Sequence, residues 1–168
     1  KSGVSHFTYD TEGECLMGVR KLLSYLPSNF EEKPPVVKPL DEKKAAKFGL
    51  TKLLHKIGSG GSTSEQSKAA LEKANRIQKI VPDNSRQPYN VKEVIDCLID
   101  DNTFFEVQKE FAPNAVVGWG RMEGRVVGFV ANQPSSMGGS LDYHASDKVA
   151  RFIRFCDCFN IPLVTLVD

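Results

Sequence analysis

With 168 residues and a net charge of +1 (22 basic, 21 acidic), the chain is about one domain long and gives no ground for nucleic-acid binding. At 40% hydrophobic it is not disordered throughout, and no apolar run approaches the roughly 20 residues of a membrane helix. Charge is uneven: residues 1–90 hold 15 basic and 10 acidic side chains (+5), residues 91–168 hold 7 and 11 (−4). The cysteines (Cys15, Cys97, Cys156, Cys158) form no CxxC and no framework spacing, which fits a reducing compartment. The start at Lys1 lacks a methionine or a signal peptide, and the end, Ile161-Pro-Leu-Val-Thr-Leu-Val-Asp168, reads as a strand without its following loop. A piece of a longer protein is expected.

Thr11-Glu-Gly-Glu14 is a capping-box pattern, and Leu16, Val19, Leu22 and Leu23 behind it predict an amphipathic helix over 12–25, ended by Pro27. Residues 29–41, with Pro34, Pro35 and Pro39, predict an extended linker. Two helical stretches follow, lysine-rich 42–57 and 64–80, the second with Ala70, Ala74, Ile77 and Val81 on one stripe. Between them Gly58-Ser-Gly-Gly-Ser62 is a flexible connector, either engineered or a natural glycine-rich loop.

From residue 88 the pattern becomes globular. Asn90 predicts the cap of a helix bearing Val91, Val94, Ile95 and Leu98, and Phe104–Val107 a short strand. Val116–Met122 and Arg125–Asn132 predict a hairpin turning at Glu123-Gly124. Ala145, Val149, Phe152, Ile153, Cys156 and Phe159 predict a helix with Phe152 and Ile153 in the core and Arg151 and Arg154 more exposed. The apolar run Leu163–Val167 predicts a strand buried on both faces. Residues 126–131 are then expected to pair in parallel with 163–167 across that helix, which places loops at strand C-termini in the default ligand position.

Catalytic signatures are sparse. No G-x-S-x-G is present, Gly58–Ser62 lacks the Lys-Ser/Thr of a phosphate loop, and His6, His55 and His144 lack zinc-site spacing. Cys156 and Cys158 read as buried or half-buried thiols, and Lys43–Lys56 as a solvated face. The segment Gly128-Phe-Val-Ala-Asn-Gln-Pro134, followed by Gly138-Gly139, is different. It puts small and amide residues where a buried strand emerges before a helix, which lets a backbone approach a ligand closely. The Asn132 and Gln133 amides either contact a ligand or tie the loop to neighbouring backbone.

Ser2-Gly-Val-Ser-His-Phe7, Leu22-Leu-Ser-Tyr-Leu-Pro-Ser-Asn29, Ile80-Val-Pro-Asp83, Pro88-Tyr-Asn-Val91, Gly118-Trp-Gly-Arg-Met122 and Gly124–Pro134 resemble the carboxyltransferase β subunit of biotin-dependent acyl-CoA carboxylases. The run Ala150–Asp168 resembles it most specifically, and Asn-Gln-Pro134 with Arg151-Phe-Ile-Arg-Phe-Cys-Asp157 looks more like the propionyl-CoA than the methylcrotonyl-CoA branch. These motifs lie within residues 1–30 and 80–168, about two-thirds of the chain.

The resemblance implies an α/β fold: a partial crotonase-like (ClpP/crotonase) domain with a hairpin and a βαβ crossover, preceded by a helical linker region. It divides the chain into 1–30, the end of an N-terminal carboxyltransferase domain; 31–87, a linker with an inserted helical pair; and 88–168, the start of a C-terminal crotonase-like domain. The implied reaction moves a carboxyl group from carboxybiotin, carried on a partner domain, to the α-carbon of an acyl-CoA. Backbone amides hold the oxyanions, so no catalytic side chain and no metal is expected. The biotin-side residues it points to are Ala131, Asn132, Gln133, Pro134, Gly138 and Gly139. Implied partners are further carboxyltransferase subunits, sharing an active site at a dimer interface, and a biotin carboxylase or carrier subunit, in the mitochondrial matrix or the bacterial cytoplasm. Residues 40–80 are longer and more lysine-rich than the family's spacer, and the chain stops before the expected oxyanion loops, so it is expected to be inactive alone. The alternative is a non-catalytic structural or interaction subunit derived from a carboxyltransferase half-domain.

Overall fold

Helix α1 (Glu12–Leu23) begins as its sequence dictates: Thr11 Oγ1 accepts from the Glu14 N–H at 3.2 Å, and the Glu14 carboxylate accepts from the Thr11 N–H at 3.3 Å. Acidic residues fill its first turn and Arg20 and Lys21 its last, matching the helix dipole. The computed structural model describes residues 2–37, 72–84 and 87–168. The connector Gly58–Ser62 and stretch 42–57 lie outside the described residues; of stretch 64–80, residues 72–80 are helical.

The apolar stripe of α1 departs from expectation. Leu16 is 67% exposed, Val19 and Leu23 are also exposed, and Gly18 is the helix's buried residue, covered by the Tyr9 ring. Periodicity shows that residues share a face, not which neighbour covers it. The helix reaches the core through half-buried Leu22 and through Tyr25, just past its end.

Four strands form one sheet in the order β1 (Phe105–Val107), β2 (Ala115–Met122), β3 (Arg125–Asn132) and β4 (Leu163–Leu166). β1–β2 and β2–β3 are antiparallel, while β3–β4 is parallel, with Gly128 opposite Leu163 and Ala131 opposite Leu166. The expected hairpin and crossover are both present. Met122 pairs with Arg125, leaving a two-residue turn at Glu123 (φ +51°) and Gly124 (φ +75°), the twist that suits a tight hairpin. Asp100 holds this turn by accepting the Glu123 and Gly124 N–H groups at 3.1 and 2.8 Å.

Alternation along β2 and β3 sends their side chains to two cores. Val117, Trp119 and Val130 meet helix α3 (Tyr143–Cys158), whereas Val116, Val127 and Phe129 meet helix α2 (Val91–Leu98). Phe152 and Phe155 both pack on Trp119, with ring centres 5.3 and 5.5 Å away, as i and i+3 residues of one face. Ile153, expected in the core, is 39% exposed because it is rotated about 100° from Phe152 on the helix. Arg151 and Arg154 are exposed, as expected. Cys156 is buried, and burial pushes its thiol up to about 11; Cys158, two residues on and turned away, is exposed rather than half-buried. β4 is the edge of the sheet and alternates between exposed and half-buried residues, Leu163 being 37% exposed. Its apolar run therefore does not mark burial on both faces within this chain.

Among the described residues two cations lie inside. Arg121, 6% exposed, donates from Nη1 to the Pro35 and Gly124 carbonyls (both 3.0 Å) and from Nη2 to the Ser24 carbonyl (2.6 Å), 4.9 Å from the Tyr25 ring centre. Lys148, 1% exposed on the sheet side of α3, donates to the Phe111, Ala112 and Ala115 carbonyls at 2.8, 3.2 and 2.7 Å. Removing either cation orphans buried acceptors, so Arg121→Met and Lys148→Met are each expected to cost about 2–4 kcal/mol in urea unfolding. Arg121→Lys should recover less than half of that loss, because an ammonium lacks the planar fork. Burial lowers the Lys148 pKa to about 8 from 10.5, with Glu106 opposing the shift and Lys92 adding to it. Between those values the unfolded chain binds more protons than the folded one, so wild-type stability relative to Lys148→Met should rise as pH climbs from about 8 to 10.5. A flat difference across that window in unfolding midpoints would refute this.

Candidate functional site

β3 and β4 run parallel, so their C-terminal ends open on the same side of the sheet, where the connection after β3 must leave it. That connection, Gln133 to Ser140, turns through three successive left-handed residues, Met137 (φ +53°), Gly138 (φ +61°) and Gly139 (φ +77°). Asp142 then caps α3 by accepting the Ala145 N–H at 2.9 Å, and that bond, with help from Asn114, holds its carboxyl below the usual range.

The candidate residues divide into three groups. Ala131 and Gln133 belong to the packing. Ala131 is buried beneath α2, and Gln133 is used up within the chain: Oε1 accepts the Val91 N–H (2.9 Å), Nε2 donates to Asn90 Oδ1 (2.8 Å), and its own N–H goes to the Asn114 carbonyl (2.9 Å). Gln133 thereby joins the loop to the start of α2, whose cap Asn90 also accepts from the Lys92 N–H at 3.2 Å.

Asn132 and Gly139 stand behind the loop. Asn132 Nδ2 donates to the Gly139 and Asp168 carbonyls, both at 3.3 Å, and Oδ1 accepts the Asp168 N–H at 3.0 Å. Of the two roles open to the amides, both side chains thus tie the loop to neighbouring backbone. A Cβ on Gly139 would sit 2.7 Å from Asn132 Nδ2, so the close approach that glycine permits is at Gly139, whereas Gly138 has open space around it.

Pro134 and Gly138 reach a surface groove of about 320 Å³, together with Ser135, Pro88, Tyr89 and Asp168. The Tyr89 hydroxyl donates to Asp168 Oδ1 at 3.3 Å, and burial, followed by the Asp168 charge and that bond, raises the Tyr89 pKa. Sequence reasoning did not single out Tyr89 or Asp168. Only the position of Asp168 at the end of a predicted parallel strand signalled it. Among the described residues no three His, Cys, Asp or Glu side chains are placed to hold a metal. His144 packs edge-on to Phe111 and lies against Tyr143, away from the groove residues.

Comparison with known proteins adds chemistry to this geometry. The model of the carboxyl transferase domain matches residues 1–168. A propionyl-CoA carboxylase carboxyltransferase subunit of Haloferax mediterranei is 44% identical over 99% of this chain and 27% of its own length. The α subunit of a methylmalonyl-CoA decarboxylase of Veillonella parvula is 40% identical over 99% of this chain and 28% of that one. The structure of transcarboxylase 12S with hydrolysed methylmalonyl-coenzyme A bound superposes with a TM-score of 0.74 at 36% identity, over 97% of this chain and 27% of that one. The chain thus spans about a quarter of the length of the relatives it matches.

The two glycines should behave differently on substitution. Gly138→Ala pays only for a left-handed alanine, about 1 kcal/mol, whereas Gly139→Ala adds the clash with Asn132 and should cost about 2–3 kcal/mol. Equal losses in thermal unfolding would show that the Asn132 contact does not constrain the loop.

Proposed function

The chain belongs to the carboxyl transferase domain family, and from that premise we propose that it builds the biotin-side wall of an acyl-CoA carboxyltransferase active site. Its fold is the crotonase-like α/β arrangement of the carboxyltransferases it resembles. The supporting observation is the groove at the C-terminal ends of β3 and β4, whose lining includes Pro134 and Gly138, which present no long side chain to a ligand. At about 320 Å³ it lies at the lower end of small-molecule sites, a size suited to a bicyclic ring rather than to a whole coenzyme A.

The proposed substrate is an acyl-CoA, propionyl-CoA first. The relatives' names converge on one bond, since carboxylating propionyl-CoA and decarboxylating methylmalonyl-CoA make and break the same carbon–carbon bond. Carboxybiotin on its carrier would supply the carboxyl group, and its ureido nitrogen a base for the α-proton. This chain's residues shape and exclude: Asn132 fixes the loop, Gln133 anchors it to α2, and Pro134 with Gly138 lines the groove. Loop and helix backbone carries this role, in keeping with electrostatic stabilisation by fixed dipoles.

The reading extends to the division into 1–30, 31–87 and 88–168, to an active site shared with another carboxyltransferase subunit, and to a biotin carrier as partner. A bacterial cytoplasm or mitochondrial matrix is the setting it implies.

Ser135 is exposed at the groove and supports no packing, so it tests the site without risking the fold. In the full-length subunit that carries this sequence, Ser135→Trp should lower carboxyl transfer from methylmalonyl-CoA to free biotin about 10-fold or more and leave the KM for methylmalonyl-CoA within about 2-fold. Parental transfer rates from a normally folded variant would place biotin elsewhere.

A further inference from the structure

Besides Asn84, Gln87 and Ser135, the groove is lined by two polar residues from separate segments, Tyr89 and Asp168, whose backbones are placed by the fold before any ligand arrives. Asp168 is clamped at its backbone from two sides, its N–H donating to Asn132 Oδ1 (3.0 Å) and its carbonyl accepting from Asn132 Nδ2 (3.3 Å). Tyr89 packs half-buried against the α2–β3 core and adjoins Asn90, which both caps α2 and accepts from Gln133. The Tyr89 hydroxyl and Asp168 Oδ1 are 3.3 Å apart, long for an O–H···O bond, so an incoming group can replace this contact cheaply. The groove thus offers a hydroxyl donor directly beside a carboxylate acceptor.

We propose that Tyr89 and Asp168 form a recognition pair for a cyclic urea, the Asp168 carboxylate accepting a ureido N–H while the Tyr89 hydroxyl turns to donate to the ureido carbonyl. In a cyclic urea the N–H and C=O lie on the same side, and neighbouring protein groups of opposite character meet them together. In a trans secondary amide, as in the pantetheine arm of coenzyme A, the two point in opposite directions, and this pair meets only one of them. Burial and the Asp168 charge raise the Tyr89 pKa above its usual value, so the phenol remains a donor. The inference rests on the biotin reading above and assigns two specificity residues within it.

The test uses the full-length subunit, with biotin methyl ester as the probe and binding followed by saturation-transfer NMR. Asp168→Ala leaves the Asn132 clamp intact, because that clamp holds backbone, and should weaken biotin methyl ester about 10-fold. Tyr89→Phe should weaken it about 5-fold, with melting temperature and propionyl-CoA KM essentially unchanged. A thiocarbonyl analogue of the same ester, a poorer acceptor, should bind wild type more weakly than the urea does and bind Tyr89→Phe no worse than the urea does. Wild-type affinity in both variants would overturn the pair and leave the groove assignment standing. A raised propionyl-CoA KM with unchanged biotin affinity would overturn it in favour of the acyl-CoA amides. If the wild-type subunit neither binds the ester nor transfers carboxyl to biotin, the biotin reading and the pair fall together.

Discussion

A guanidinium taken out of water must be solvated by the chain around it, and Arg121 is solvated by carbonyls from three separate segments. Ser24 ends α1, Pro35 lies in the extended stretch that follows, and Gly124 is the hairpin turn. The carbonyl end of α1 is also the negative end of its dipole, and Asp100, which grips the turn, adds negative charge. Tyr25 lies under the guanidinium and carries the contact into the aromatic core of Phe105, Trp119 and Phe152. Arg121 thereby joins the N-terminal segment to the sheet, together with the Tyr25 hydroxyl on the Thr103 carbonyl and the Gln108 amide on the Gly3 carbonyl. Such a cluster stabilises the fold less than it specifies it, since a partly satisfied version is worse than an apolar one.

The groove depends on this frame through the sheet. With the β2–β3 hairpin locked at its turn, the far end of β3 is placed opposite β4, and Asn132 becomes the residue that spans from one strand end to the other. Gln133 performs the matching task towards α2. Both amides sit in a stretch whose small neighbours suggested ligand contact, and both serve to set the backbone. A site that acts through backbone dipoles, as proposed above, needs that kind of rigidity, because dipoles that must reorient during reaction lose much of their effect.

Lys148 illustrates a further economy of the fold. It lies one turn beyond Ala145 and one turn before Phe152, on the face that meets the sheet, and three carbonyls from residues 111–115 surround its ammonium. Those carbonyls belong to the turn entering β2, where Ala112 has a positive φ and its carbonyl also takes the Ala115 N–H, and to Ala115 itself at the start of the strand. The buried ammonium supplies further donors to this cluster of carbonyls.

Local chemistry sufficed to determine much of this protein from its sequence. The Thr11 box, the Asn90 cap, the Glu123-Gly124 turn and the 3.6-residue repeat over Ala145–Cys156 depend on neighbours a few residues away, and all stand in the structure. Alternation and connection handedness then led to the hairpin and the parallel β3–β4 pair, and dense local motifs to the family. Tertiary structure alone decided what covers each face within these 168 residues: that the α1 stripe of Leu16, Val19 and Leu23 is exposed there, that Ile153 leaves the core, and that β4 pairs on one side with β3. It also decided that Asn132 and Gln133 bind backbone, and that Tyr89 meets Asp168 across 79 residues of sequence. Periodicity and capping are properties of a segment, whereas burial, the partner of a polar group and the walls of a groove depend on which segments the fold brings together.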